Sequence, residues 1–172
     1  SRCRVLRCAL SLSRMPNRSS LVPSPSPTNA ANLLLAALSG RQRRSMLAAS
    51  ESVELRFSDV LGRPGERIRH VYFPTTSFVS QIKPLDTHAG LEVGLVGNEG
   101  MIGIPLLLGV MTSPLHLLVQ GAGGALRFEA AAFTRQLATS TALRRRLDRY
   151  VHVVLGQLAQ TASVPVNRVD LV

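Results

Sequence analysis

The chain is short of the residue types that most metal and redox chemistry needs. Among 172 residues there are two Cys, four His, two Tyr and no Trp. Cys3 and Cys8 supply too few thiolates for a four-ligand zinc or iron–sulfur site. Two thiols without partners read as free cysteines of a reducing, cytoplasmic protein. His70, His88, His116 and His152 are scattered, with no His-x-His pair to seed a facial metal site. G-x-S-x-G, G-x-G-x-x-G and the Gly-Lys-Ser/Thr P-loop are all missing. No apolar run approaches the roughly 20 residues of a membrane span. These absences set the expectation of no catalytic residue, no metal, no cofactor and no membrane partner.

Lysine is nearly absent as well: of 20 basic residues only Lys83 is not Arg. The net charge of +10 is unevenly placed. Arg2, Arg4, Arg7, Arg14 and Arg18 stand in residues 1–28 with no acid among them, which is half the excess. That segment is rich in Ser and Pro, lacks periodicity, and reads as a disordered basic arm. An Arg-rich, Ser-rich, acid-free start also describes an organelle transit peptide. The all-Arg usage reads as a compositional habit, so the high isoelectric point is weak evidence for nucleic acid.

The stretch around which the rest is organised runs from Leu91 to Gly109. Leu91, Val93 and Leu95 alternate with Glu92 and Gly94, the period of a half-buried strand. Gly97-Asn98-Glu99-Gly100 is a turn signal, since Gly and Asn tolerate positive φ. Ile102 to Leu108 then reads as one short apolar helix with Pro105 in its first turn. A glycine-rich turn before a helix N-terminus is either an anion cradle or a plain tight turn.

The flanks are read in chain order. Thr28 or Asn29 is expected to cap a short helix through Leu38, with a second helix over residues 41–49. Short strands with Gly and Pro turns follow from Val53, at residues 53–57, 68–73 and 78–82. Beyond the organising stretch, strands are expected from Ser113 to Gln120 and from Ala125 to Glu129, with Gly121 to Gly124 as the turn. Residues 130–138 read as helix. Together this is a mainly β fold with flanking helices, a sandwich, barrel or jelly roll. Leu143, Leu147, Tyr150, Val154 and Leu158 recur at steps of four and three, giving a narrow stripe on a long C-terminal helix. A stripe that narrow suits a coiled-coil seam, hence a homodimer interface. Pro165 ends this helix, and no element is expected over 166–172. The divisions are therefore a 1–28 arm, a 29–139 β body, a 140–164 dimerisation helix and a 165–172 tail.

The order of these parts resembles the Crp/Fnr family of bacterial transcription regulators over roughly Asn32 to Ala162. The specific segments are Pro64-Gly65-Glu66 and LEVGLVGNEGMIGIPLLLG. The resemblance implies a cyclic-nucleotide-binding-like β-roll of double-stranded β-helix type, then a dimer helix. It also implies a helix-turn-helix domain, which this sequence does not contain, so DNA would be met only through that missing domain. The candidate effector pocket is Gly97, Gly100, Ile102, Gly103, Ile104, Leu106, Leu115, His116 and Leu118. Cyclic-nucleotide binders of the family hold the ribose with a Glu and the phosphate with an Arg. Alignment on Gly103 puts Ile104 at the Glu position, and alignment on Pro114 puts Leu115 at the Arg and Leu118 at the Thr that follows it. Each lost charged hydrogen bond is worth roughly 1.5–3 kcal/mol, so the pair removes about 10² to 10⁴ in affinity. His116, if protonated, would compensate in part. The expectation is an effector-sensing, dimerising part of such a regulator, with an unknown small effector or protein partner and no tight binding of cyclic AMP. The alternative is a free-standing dimerisation module whose pocket is filled by its own Ile102, Ile104, Leu106 and Leu107.

Overall fold

The structure, a computed structural model, describes residues 31–85, 89–161 and 168–170. The basic arm with Cys3 and Cys8, and likewise Asn29, His88 and Pro165, lie outside the described residues. Two short helices, α1 (Leu33–Ala36) and α2 (Gly40–Ala48), precede the strands. The expected first cap is displaced. Asn32, not Thr28 or Asn29, caps α1, because its Oδ1 accepts from the amides of Leu34 and Leu35. Its Nδ2 meanwhile donates to the carbonyls of Pro74 and Gly100 at 3.0 and 2.8 Å. Those long-range acceptors give a buried Asn a reason to be there that local sequence does not reveal.

Seven strands follow: β1 (Glu51–Leu55), β2 (Val60–Gly62), β3 (His70–Pro74), β4 (Phe78–Pro84), β5 (Ala89–Val96), β6 (His116–Gly121) and β7 (Gly123–Glu129). All pair antiparallel in two sheets. One sheet has the order β1-β7-β3, and the other has β2-β6-β4-β5 with a further strand at its edge. That further strand, β8 (Arg168–Asp170), pairs with β5 at Ala89 to Leu91 and corrects the expectation of no element in the tail. It has no periodicity of its own to announce it; the open edge of β5 supplies the pairing.

Between the sheets lie Leu55, Tyr72, Val79, Val96, Ile102, Leu117, Val119 and Ala125. A larger core lies between the three-stranded sheet and the helices, where Phe73, Phe128 and Phe133 meet with ring centroids 5.3–6.1 Å apart. Aromatics are few, but three of the five Phe sit at one point and close that layer, Phe128 meeting Phe73 and Phe133 edge-to-face. Helix α3 (Ala130–Thr139) follows β7 and delivers Phe133 and Leu137 to this core. Helix α4 (Thr141–Thr161) then runs back across the body for 21 residues.

The long helix departs from its expected role in its first half. Leu143 and Leu147 are buried in this chain's own core, beside Phe133 and Leu107. Tyr150 is half-buried against the same core and accepts a hydrogen bond from the Met101 amide at 3.2 Å. Leu143 and Leu147 therefore have almost no surface left for a coiled-coil partner, and Tyr150 is only partly exposed. The narrow stripe arises because only one face of a helix lying on a body needs to be apolar.

Candidate effector site

The glycine-rich turn is built as expected: Asn98 and Glu99 form its corner, and the Gly100 amide donates to the Gly97 carbonyl at 3.1 Å. It is built as a tight turn, and several of the amides in and after it are already taken. Gly97 donates to the Glu99 carboxylate, Met101 to Tyr150 and Ile102 to the Tyr72 carbonyl. These amides are not free to cradle an anion. Gly97 and Gly100 are structural, and an added Cβ at Gly100 would fall on the Tyr150 hydroxyl. Asn32, Leu33 and Tyr150 all hold this turn, so it joins α1, α4 and the β body.

Past the turn, the expected helix is a shorter 3₁₀ turn over Ile104–Leu108. Gly103 enters it with φ 108°, a left-handed conformation in which an added Cβ would also lie 3.0 Å from Val71 Cγ2, so a side chain there is strained. Leu106 and Leu107 point into the core. Ile102, Gly103 and Ile104 line a cavity of about 560 Å³ between the β body and α4. The cavity is open beside these side chains, which argues against a pocket filled by its own isoleucines and leucines.

The predicted pocket set therefore divides. Ile102, Gly103, Ile104 and Leu115 line the cavity; Gly97, Gly100, Leu106, His116 and Leu118 do not. Leu118 fails because strand side chains alternate, and it is Leu117 on β6 that faces inward with Leu115. His116 stands on the opposite side from Leu115 and Leu117. Burial, and then the nearby Arg63, hold its imidazole below the ordinary histidine range, with Glu66 opposing in part. A neutral His116 does not replace a phosphate-binding arginine. Ser113 is likewise occupied, since its Oγ donates to the Leu115 carbonyl and accepts from the Leu115 amide.

Sequence reasoning missed the other wall and the lid. Leu61 to His70 form one wall, including Arg63, Glu66, Arg67 and Arg69. Backbone bonds zip this wall to residues 111–113: Gly65 donates to Ser113 at 2.8 Å, Ser113 to Glu66 at 3.2 Å, and Ile68 to Met111 at 2.8 Å. The lid is the second half of α4, through Val151, Val154, Leu155 and Leu158. The arginines of the 63–69 segment were legible as residues, but only the fold carries them to the same cavity as Ile104 and Leu115. Among the described residues, no group of His, Cys, Asp and Glu is arranged to hold a metal ion. No helix of the described residues is long and apolar enough to cross a membrane.

The architecture has counterparts among solved structures. The c-di-GMP-responsive global regulator CLP of Xanthomonas campestris superposes with a TM-score of 0.62 at 18% identity, over 72% of this chain and 62% of that one. The sensor domain of the transcriptional regulator DNR from Pseudomonas aeruginosa gives 0.56 at 21%, over 72% of this chain and 92% of that one. A cyclic nucleotide-binding domain from Methylobacillus flagellatus gives 0.54 at 17%, over 73% and 68%. The fold is the cyclic-nucleotide-binding β-roll. This β-roll spans 62% of the length of CLP and nearly all of the isolated DNR sensor domain. No family model matches the sequence, and no curated protein sequence is similar to it. In this β-roll the cavity lies between Ile104, Leu115 and α4.

Proposed function

We propose that the chain is the effector-sensing and dimerisation part of a Crp/Fnr-like transcription regulator, and that it is not a tight binder of cyclic AMP. One observation carries this reading: the second half of α4 is at once the lid of the cavity and an uncovered apolar surface. Val154, Leu155 and Leu158 line the cavity, while Val153 and Leu155 remain 54% and 60% exposed on the flanks of the helix. A ligand in the cavity therefore touches the surface that a second copy of the chain would cover. Differential contact of this kind is what lets ligand binding bias an interface. The dimer seam lies at Val153, Leu155 and Leu158, keeping Leu158 of the expected Leu143–Leu158 stripe and leaving out its first half. DNA reading would belong to a separate domain, and the reading assigns no catalysis to the chain.

The interior of the cavity supports the claim about cyclic AMP. Ile104 and Leu115 present hydrocarbon where the family's cyclic-nucleotide binders present Glu and Arg, and His116 faces elsewhere. A cyclic phosphate placed deep against Ile104 and Leu115, away from the arginines of the rim, would lose its hydration without a charged partner beside it, which is costly. The test is sedimentation of the chain and of V153D/L155D, with calorimetric titration of cyclic AMP. The expected result is a wild-type dimer, a folded monomeric variant and no strong heat from cyclic AMP. A monomeric wild type, or strong binding of cyclic AMP, would reject the reading.

A further inference from the structure

The cavity that the sensing reading rests on has two chemically distinct parts. Its interior is aliphatic, with Ile102, Ile104, Leu115, Leu117, Val154 and Leu158 along the wall. Its mouth is cationic. Arg67 and Arg69 are exposed there, and among the described residues neither guanidinium has an ion-pair or hydrogen-bond partner. The one carboxylate on the same rim, Glu66, faces Arg63 at 4.0 Å. A third feature lies between wall and mouth. Gln81, 9% exposed, also lines the cavity and borders a second one beside β5.

We propose that this cavity binds an amphipathic carboxylate: an acyl-like molecule whose apolar chain lies on Ile104, Leu115 and Leu117 and whose carboxylate is met by Arg67 and Arg69. A volume of about 560 Å³ falls within the roughly 300–1,000 Å³ of small-molecule sites. The planar guanidinium fork matches a carboxylate with two parallel hydrogen bonds, and two such forks stand at the mouth without competitors. The aliphatic wall excludes the alternative of a strongly hydrated ligand bound deep inside, because nothing there replaces lost water. The chain of the ligand ends against Val154 and Leu158, the lid residues of α4, so its length decides how α4 is supported.

The test is calorimetric titration of the full chain with decanoate, decanol, acetate and cyclic AMP. Decanoate should saturate the protein at least about tenfold more tightly than decanol, which has the chain without the charge. Acetate, with the charge but no chain, should give no measurable saturation. Added salt should weaken decanoate and leave decanol unchanged, because the contact at the mouth is exposed to screening. R67A/R69A should reduce decanoate to the affinity of decanol at an unaltered melting temperature, since both side chains are exposed. Equal affinity for decanoate and decanol, indifference of decanoate to R67A/R69A, or tighter binding of cyclic AMP than of decanoate would overturn the proposal. Decanoate that binds as described but leaves the dimer unchanged would support the ligand class while sinking the sensing reading. A dimer through α4 whose cavity ignores decanoate would sink the ligand class and leave that reading standing.

Discussion

Replacing Gly100 with Ala probes the seat of α4 on the β-roll. Gly100 is buried and has no positive φ, so alanine is excluded by space and not by backbone conformation. Its Cβ would fall on the Tyr150 hydroxyl, with Val96 Cγ1 2.7 Å away. Overpacking of this kind costs about 1–3 kcal/mol. Displacing Tyr150 also breaks its 3.2 Å bond from the Met101 amide, and an orphaned buried donor costs about 1–3 kcal/mol. The sum, about 2–6 kcal/mol, is a large part of the roughly 5–15 kcal/mol that holds a typical domain together. Tyr150→Phe removes the hydroxyl that the new methyl meets and loses the same hydrogen bond on its own. The two changes should therefore be strongly non-additive: Gly100→Ala should cost at least ~1 kcal/mol less in the Tyr150→Phe background, outside the roughly 0.3–0.5 kcal/mol scatter of independent sites. Urea unfolding of the four proteins, monitored by circular dichroism, measures the cycle. Additive costs would show that Tyr150 does not rest on Gly100, and the account of how α4 is held would be wrong.

Three further outcomes follow from the same geometry. Asn32→Ala removes a buried side chain that makes four hydrogen bonds to α1, Pro74 and Gly100; unfolding should show a loss of about 2–4 kcal/mol, since it leaves two buried carbonyls short of a donor. Leu147→Asp should unfold the chain instead of separating a dimer, because Leu147 is 1% exposed within its own subunit and a buried unpaired charge is not tolerated; a folded, soluble monomer by circular dichroism and sedimentation would contradict this. His116 should titrate below the ordinary histidine range by NMR, owing first to burial and then to Arg63. Because the folded state then binds fewer protons than the unfolded one, stability should fall as the pH drops below about 6.5, the unperturbed histidine value. His116→Gln should flatten that slope, and an unchanged slope would show that His116 does not contribute.

Much of the fold was legible because its signals are local. Alternation at Leu91, Val93 and Leu95, the Gly97–Gly100 turn and the apolar stripe of α4 each depend on a few neighbouring residues. The features that were misread depend on contacts far apart in sequence. Asn32 is a cap because Pro74 and Gly100 offer it carbonyls, and Leu143 and Leu147 face inward because Phe133 and Leu107 lie beneath them. A stripe of this width looks the same whether a helix lies on a partner or on its own body. The site was half legible for a similar reason. The segment after the turn names Ile102, Gly103 and Ile104, but Arg67, Arg69 and Gln81 join them only through the zipper between residues 65–68 and 111–113 and the crossing of α4. Leu118 was misplaced by one residue, and in a strand one residue is the other face.

The most direct test of the central claim, that α4 has one half seated on its own β-roll and one half reserved for a partner and a ligand, is amide hydrogen exchange followed along α4 across a wide range of protein concentration. The account predicts that residues 143–150 are protected equally at every concentration, while residues 151–160 exchange quickly in dilute solution and slow as copies associate. Protection of residues 151–160 that ignores concentration, or a uniform change along all of α4, would contradict it.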